Sequence, residues 1–288
     1  PAADLVWIAD RVGLAGQGRF KSRVRGLPEV GGELPVACLA EEIETPGKGQ
    51  VRALITSAGN PVLSAPNGRR IDAALATLEH MVSVDAYLNE TTRHAHVILP
   101  PVSPLQRSHY DLALAAFSVR NHAKLSLPVL PQGPQERQDW EIFLALGARI
   151  HVGRNVLSRL LGATLGKLGP EGLVDLALRT GPYKLSAEQL LQHPHGLDLG
   201  PLESRITSVL RTRDKKVHLA PKVFLAELPG LRVSLDDATR SNQMLLIGRR
   251  HLRSNNSWLH NDARLIKGRA RCTLMLHPTD AKRLGLAD

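Results

Sequence analysis

Residues 247–258 carry the side chains best suited to hold a phosphorylated ligand. They read I-G-R-R-H-L-R-S-N-N-S-W, so a strand-like run ends in glycine, three arginines follow within five residues, and serine and asparagine come next. Glycine lets a ligand approach the backbone, arginine offers forked donors to phosphate, and Ser and Asn side chains can hydrogen-bond the edge of a heterocycle. The alternative is a solvent-exposed polar loop, and the residue types alone leave both interpretations open.

Other reactive side chains do not form a catalytic arrangement. The close histidine pairs are His94 with His96 and His193 with His195, and no carboxylate or cysteine completes either pair at a ligand-like spacing. Cys38 lies in a predicted helix and is expected to be a buried free thiol. No nucleophile–base pair, phosphate-binding loop or pair of carboxylates stands out. The sequence therefore predicts no catalytic residue and no metal ligand.

The elements that must position a site in the first half alternate between helix and strand. Two runs have the apolar spacing of a helix: Val36, Leu39, Ala40, Ile43 and Ile71, Ala74, Leu75, Leu78. Short apolar runs at 51–57, 80–85 and 97–99 predict buried strands. This alternation predicts a parallel sheet with helices on its faces.

Ligands of such sheets bind beyond the carboxyl ends of the strands. In this sequence those ends fall at Gly59 and Asn60, at Asp85, and at the loop that begins with Pro100. These positions are candidate site residues from the strand pattern alone.

The remaining segments are less regular. Residues 1–32 are rich in glycine and predict irregular structure, and residues 136–150 predict a helix with Trp140, Phe143, Leu146 and Ile150 facing inward. Helices are predicted at 155–168 and 170–179, and a capping box at 186–189 predicts the start of another. Runs at 244–248 and 272–277 predict strands separated by a polar stretch.

Charge and composition narrow the class of partner. The 288-residue chain has a net charge of +10, with no excess in residues 1–150, +4 in 151–231 and +6 in 232–288. A basic C-terminal half predicts an anionic partner, which is a nucleic acid, an acidic membrane or a phosphate-rich ligand. Aromatic residues make up only 3% of the chain, which disfavours single-strand nucleic-acid binding. The densest basic cluster, residues 205–222, is interpreted as a solvated linker.

Apolar run lengths and cysteine content indicate the cellular compartment. No apolar run approaches the roughly 20 residues of a membrane-spanning helix, and no cleavable signal pattern opens the sequence. Two cysteines exclude a disulfide scaffold and an all-Cys iron–sulfur site within these residues. We therefore predict about two domains, no membrane span and a cytoplasmic protein.

Two separated motifs carry a resemblance to a known family. The first comprises A-G-N-P-V-L-S-A-P-N at 58–67 and V-D-A-Y-L-N-E-T-T-R-H-A-H-V-I-L-P at 84–100, and the second is I-G-R-R-H-L-R-S-N-N-S-W-L-H-N at 247–261. Together they resemble the molybdopterin oxidoreductases of the dimethyl-sulfoxide-reductase family, which includes formate dehydrogenases and nitrate reductases. The second motif is similar to the opening of that family's C-terminal dinucleotide-binding β-barrel domain.

The resemblance implies an α/β fold. A Rossmann-like parallel-sheet domain at 1–150 would be followed by a mostly helical insert and basic linker at 151–235 and by the truncated start of a β-barrel at 236–288. Such a fold would hold molybdenum between two molybdopterin guanine dinucleotides, whose pyrophosphates would account for a basic C-terminal region.

The implied cofactor contacts lie in both motifs and between them. They are Gly59, Asn60, Val84, Asp85, Arg107, Asp139, Gly248, Arg249, Arg250, His251, Ser254, Asn255 and Asn256. Asp85 would accept from the N1–H and N2–H₂ edge of a guanine. Two of these positions have a simpler interpretation, Asp139 as a carboxylate favoured by a helix N-terminus and Arg107 as a surface charge.

The sequence also departs from the family. His96 stands where the family usually has Asp, and Gln106 replaces a common Glu beside Arg107. The family's Cys-rich iron–sulfur segment and its molybdenum ligand are not in these residues, and the first residue is Pro instead of Met. We therefore expect an internal piece of a longer protein, with any iron–sulfur cluster in the preceding part.

Three functional hypotheses follow. The leading one is part of a formate-dehydrogenase-like molybdenum bis-molybdopterin-guanine-dinucleotide enzyme, which transfers two electrons between a small-molecule substrate and an electron-transfer partner that the sequence does not identify. The chain would supply cofactor-cradle residues and no metal ligand, and alone should be inactive. The alternative is a catalytically inactive scaffold or binding protein that retains the fold. The third, nucleic-acid binding through residues 205–222, is the one we disfavour.

Overall fold

The computed structural model describes residues 17–112, 114–150, 156–204, 206–210, 212–240, 244–253, 259, 262–271 and 273–286. These residues form α-helices, short 3-10 turns and short strands. The chain divides into two compact units between Ser204 and Arg205, inside the predicted insert and linker.

A two-stranded antiparallel sheet opens the described part of the first unit. It consists of β1 (Gln17–Lys21) and β2 (Pro28–Val30). Glu29 is fully buried, and its carboxylate accepts hydrogen bonds from the backbone N–H of Arg19 at 2.7 Å and from its guanidinium Nε at 3.3 Å. The prediction of irregular structure for residues 1–32 is wrong over these two strands, because a polar pair fastens them where no apolar periodicity signals a strand.

The predicted alternation of helices and strands is present in the next segment. Its elements are α1 (Leu39–Glu44), β3 (Ala53–Ser57), α2 (Pro61–Ser64), α3 (Gly68–Leu75), β4 (His80–Val84) and β5 (Val97–Ile98). The three strands pair in the order β3-β4-β5 and are all parallel. Parallel neighbours need a crossover connection, which α2 and α3 supply between β3 and β4. The predicted mixed α/β class with a parallel sheet is confirmed.

The core of this segment consists of the residues that the helical spacing singled out. Its buried members are Ala40, Ile43, Ile71, Ala74, Leu75, Leu78 and Met81. One predicted member differs, because Val36 lies on a 3-10 turn (Val36–Cys38) before α1 and remains 46% exposed. Burying each large aliphatic side chain contributes roughly 1.5–3 kcal/mol, so this cluster holds α1 and α3 against the sheet.

The rest of the first unit combines short antiparallel strands with helices. In order they are β6 (His109–Tyr110), β7 (Arg120–Ala123), β8 (Leu125–Ser126), α4 (Asp139–Ile150), α5 (Val156–Thr180), α6 (Ala187–Leu191) and β9 (Leu197–Pro201). Strand β6 pairs with β8, and β7 pairs with β9. A second buried cluster joins them: Ala123, Leu125, Leu178, Leu185 and Leu190.

Three predictions for these helices have different outcomes. The capping box at Ser186 is confirmed, with its hydroxyl accepting from the Gln189 N–H at 3.2 Å. The predicted break before Pro170 is a kink within α5, where Gly169 is left-handed at φ 63°. The inward face predicted for residues 136–150 is confirmed only in part, because Trp140, Phe143 and Leu146 are half-buried and Ile150 is 57% exposed.

The second unit is helical in the residues that the structure describes. Its helices are α7 (Ile206–Val209), α8 (Lys222–Leu225), α9 (Leu228–Arg240), α10 (Ala263–Ile266) and α11 (Pro278–Arg283). Residues 244–250 and 273–277 form no strand, so the predicted strands at 244–248 and 272–277 and the expected barrel are wrong for the described residues. A strand requires a hydrogen-bonded neighbour, and the apolar run lacks one: Leu245, Leu246 and Ile247 are 84%, 85% and 83% exposed.

None of the helices that the structure describes, in either unit, is both long and apolar enough to cross a bilayer.

His96, which immediately precedes β5, forms two hydrogen bonds to Met81 in β4. Its backbone N–H donates to the Met81 carbonyl at 2.8 Å, and its ring Nδ1 accepts from the Met81 N–H at 3.0 Å. An Asp Oδ1 branches from Cγ as Nδ1 does, so an Asp at this position would keep an acceptor at the same branch point. Met81 is fully buried, and an unpaired amide there would be costly.

We expect His96→Ala to lower the free energy of unfolding by about 1–3 kcal/mol, because the buried Met81 amide loses its acceptor. His96→Asp should retain most of that stability, apart from the stacking of the His96 ring on His80 with centroids 5.0 Å apart. His193→Ala, at an exposed histidine, is the control. Urea unfolding measures all three, and an Asp variant as unstable as the Ala variant would contradict this role.

Candidate functional site

The carboxyl end of β3 leads into a left-handed turn with open space above it. Ala58 has φ 49° and Gly59 has φ 85°, and apart from the chain neighbours of Gly59 no described residue has an atom within 4 Å of where its Cβ would sit. The Ala58 N–H donates to the Val84 carbonyl at 2.9 Å, which ties the turn to the end of β4. A ligand can therefore approach the Gly59 backbone directly.

Asn60 joins the loop after β3 to the loop after β4. Its amide Nδ2 donates to Glu90 Oε2 at 2.7 Å, and its Oδ1 accepts from the Thr91 hydroxyl at 2.7 Å. The same hydroxyl accepts from the Val62 N–H at 3.2 Å, at the first turn of α2. We call Asn60, Glu90 and Thr91 the loop clamp. It fixes which way the Asn60 amide faces and holds the two loops together.

The loop after β4 is ordered from within by its own polar side chains. Asn89 Oδ1 accepts from the N–H groups of Thr91 and Thr92 at 3.0 and 2.9 Å, and the Thr92 hydroxyl donates to the Tyr87 carbonyl at 2.9 Å. Thr91 and Thr92 are fully buried. Asn and Thr side chains, which readily hydrogen-bond nearby backbone amides, are the sequence signal from which the order of this loop could be inferred.

Asp85 and Val84 lie at the predicted strand end, and both are buried. The exposed fractions are 8% for Asp85 and 2% for Val84. One Asp85 oxygen accepts from the Tyr87 N–H at 2.9 Å, and the other lies 3.4 Å from the Asn89 amide nitrogen. Each oxygen retains a second lone pair, but in this structure the carboxylate organises its own loop.

Glu90 is the charged member of the loop clamp. The Asn60 amide holds the pKa of its carboxyl below the usual range, assisted by a backbone N–H and, less, by the charge of Arg93. Its Oε2 accepts from Asn60, and only this oxygen has a side-chain donor among the described residues. An ionised carboxylate therefore lies at the same sheet edge as the Gly59 turn.

Exposed apolar side chains follow the polar groups along this edge. Leu63, Tyr87 and Leu88 are 65%, 56% and 76% exposed. Aromatic and aliphatic surface beside a few fixed polar groups is typical of small-molecule sites.

Arg107 and Asp139, predicted separately, contact each other. Arg107 Nη1 donates to Asp139 Oδ2 at 2.8 Å, with about two-fifths of each side chain exposed. Asp139 also accepts from the Trp140 N–H at 2.9 Å at the start of α4. The pair joins the chain after a 3-10 turn (Pro104–Gln106) to that helix.

The predicted residues of the second unit are exposed. Apart from its chain neighbours, no described residue has an atom within 4 Å of a Cβ built on Gly248. Arg249 donates to Met275 Sδ at 2.6 Å and to the Arg271 carbonyl at 3.3 Å. The backbone N–H of Arg253 donates to His251 Nδ1 at 3.1 Å. Arg250 is exposed. Ser254, Asn255 and Asn256 lie outside the described residues.

The described residues contain no cluster of side chains that could bind a metal ion. No group of three or more His, Cys, Asp or Glu side chains is arranged there to hold an ion. The His94 ring is hydrogen-bonded to a carboxylate, since its Nε2 lies 2.6 Å from Asp72 Oδ1.

Comparison with known proteins gives distant similarity to redox enzymes. No protein-family model matches the sequence. The chain is 28% identical over 114 residues to the assimilatory nitrate reductase catalytic subunit of Bacillus subtilis (strain 168), which is 40% of this chain and 15% of that protein. It is 26% identical over 275 residues to the NADPH-Fe(3+) oxidoreductase subunit alpha of Geobacter sulfurreducens, which is 90% of this chain and 26% of that protein. The chain thus spans about a quarter or less of the length of these relatives.

We expect Glu90→Gln to reduce stability in a pH-dependent way. A carboxyl whose folded pKa is lowered stabilises the fold above its unfolded pKa of about 4.3 and loses that contribution as pH falls through the folded value. The difference in unfolding free energy between the parent protein and Glu90→Gln should therefore be largest near pH 7 and shrink below about pH 4.3.

Chemical denaturation from pH 7 to pH 3 measures that difference. Glu33→Gln, at an exposed carboxylate away from the loop clamp, is the matched control. A Glu90→Gln difference that stays constant over this range would contradict the assignment of an ionised, hydrogen-bonded Glu90.

Proposed function

We propose that the chain is part of an oxidoreductase that binds molybdenum between two molybdopterin guanine dinucleotides. Its residues would form part of the cofactor cradle and would supply no metal ligand. The motifs at 58–67, 84–100 and 247–261 and the similarity to two redox enzymes support this proposal. The proposal includes a small-molecule redox substrate, a separate electron-transfer partner and a cytoplasmic location.

One observation carries the proposal. The turn at Ala58 and Gly59 is left-handed, open to solvent, and held by the loop clamp at the carboxyl edge of a parallel sheet. Bulky phosphorylated ligands of such sheets bind at this edge, and a glycine there lets a pyrophosphate or pterin reach the backbone.

The described side chains fit a dinucleotide to different degrees. Gly59 offers backbone and space, and ionised Glu90 can accept from a donor-rich ring edge through its second oxygen. Asp85 fits only by sharing oxygens that already accept from its own loop. Asn60 would act by fixing the turn, because its carbonyl and one amide hydrogen are used in the loop clamp.

The basic second unit would contribute phosphate contacts. The exposed guanidinium of Arg250 makes no hydrogen bond to any described residue, and Gly248 beside it leaves the backbone open. Forked guanidinium donors suit phosphate oxygens. Ser254, Asn255 and Asn256 belong to the same proposal through their sequence motif.

The bound cofactor would supply the two-electron chemistry, and the protein would bind it and set its orientation. In this division of roles Gly59 and Glu90 would position a cofactor edge at the first unit, and Arg250 would neutralise phosphate charge at the second.

A catalytically inactive scaffold or binding protein is the second candidate. The observation that favours it is the internal pairing of predicted contacts, since Arg107 binds Asp139 and Asp85 bonds its own loop. Such pairing stabilises a fold with or without a ligand. The two candidates differ in whether the intact protein contains molybdenum and pterin.

We expect Gly59→Ala to lower the molybdenum content of the intact, matured protein by about fivefold or more, which corresponds to roughly 1 kcal/mol of lost binding. The added methyl would occupy the open space where the ligand approaches. Gly26→Ala is the matched control, because Gly26 also has positive φ (69°) and no neighbour within 4 Å of its Cβ position. Each substitution places a Cβ on a residue with positive φ, which destabilises the backbone by about 1–2 kcal/mol in both variants.

Elemental analysis, pterin assay and a thermal melt separate the two effects. The expected result is a similar melting shift in both variants with cofactor loss in Gly59→Ala alone. Equal molybdenum contents in the two variants would contradict the role of Gly59, and a folded parent protein without molybdenum or pterin would favour the scaffold.

A further inference from the structure

A small cleft of about 120 Å³ lies in the first unit, beside the β6–β8 strand pair. Its polar lining consists of His109, Tyr110, Asp111, His122, Lys124 and Ser126. The cleft is smaller than the roughly 300–1,000 Å³ of pockets for drug-sized ligands, so it suits a ligand of few heavy atoms. None of these residues belongs to the site described above.

The strand register brings the lining together. His109 lies opposite Ser126 in the antiparallel pair. Asp111 follows His109 by two residues and Lys124 precedes Ser126 by two, and side chains at this spacing on extended chain share a face. Residues on both sides of the pair therefore converge on one cleft.

Two of the lining groups lack a protein partner among the described residues. The Lys124 ammonium and the Ser126 hydroxyl make no hydrogen bond there. Tyr110 differs, because it lies opposite Leu125 in the strand pair and packs against the second buried cluster, on the other face from His109 and Ser126.

Asp111 supplies the opposite charge. Its Oδ1 accepts from the Leu114 N–H at 2.7 Å, which fixes the carboxylate at the start of a 3-10 turn (Leu114–Phe117). The other oxygen has no donor among the described residues. The cleft thus has one positive charge, on the exposed Lys124, and one negative charge, on the fixed Asp111 carboxylate.

This balance decides the class of ligand. A simple anion would be attracted by Lys124 and repelled by Asp111, and a simple cation would meet the reverse. A small molecule with both a carboxylate and an ammonium group satisfies both charges. We infer that the cleft is a binding site for a small zwitterion of the amino-acid class, with its carboxylate on Lys124 and Ser126 and its ammonium on Asp111.

The test is an amide-resolved NMR titration of the full chain with glycine, acetate and methylammonium. Glycine should give saturable shifts confined to residues lining the cleft, and acetate and methylammonium should each bind at least about tenfold more weakly, because each loses one charge-assisted contact. No saturable shift with glycine, or equal affinity for all three probes, would overturn the inference.

Two charge variants test the roles of the lining residues. Lys124→Gln should weaken glycine binding about tenfold. Asp111→Asn should weaken glycine but strengthen acetate, since the repulsive carboxylate is gone while Asn Oδ1 can still accept from Leu114. Lys48→Gln, at an exposed lysine outside the cleft, should change nothing. Unchanged probe preference in Asp111→Asn, with a folded spectrum, would contradict the assignment.

This inference is independent of the proposed redox function. The cleft uses none of the loop-clamp residues, so molybdenum content and glycine binding can fail separately.

Discussion

The hydrogen bonds of Asn60 to Glu90 and Thr91 are the constraint on which the candidate site depends. Parallel strands deliver their carboxyl ends to one edge, but the loops that leave them have no sheet hydrogen bonds to fix their positions. The loop clamp supplies that missing connection across a sequence separation of about thirty residues. Because Thr91 is fully buried, its hydroxyl bonds are shielded from water, and they help to hold the Gly59 turn in its position.

The sequence predicted the parts of this fold that depend on local pattern. The 3.6-residue spacing of Ile71, Ala74 and Leu75 indicated the buried face of α3, and short apolar runs indicated the three parallel strands. Gly59 and Asn60 were candidates because strand ends can be located from those runs. Each of these inferences needs only residues that are near one another in the chain.

Predictions that needed a partner elsewhere were incomplete or wrong. Arg107 and Asp139 were each identified, but their 2.8 Å contact spans 32 positions that no local pattern connects. The apolar run at 245–247 has the composition of a strand and no neighbouring strand among the described residues, so composition alone misled. The acceptor role of His96 depends on Met81, which the fold brings beside it.

The most direct test of the proposed function is the molybdenum and pterin content of the intact protein, purified after expression with its cofactor-maturation machinery. We expect molybdenum and a pterin guanine dinucleotide to co-purify with the folded protein, with two pterins for each metal. A folded, correctly matured protein that contains neither molybdenum nor pterin would contradict it.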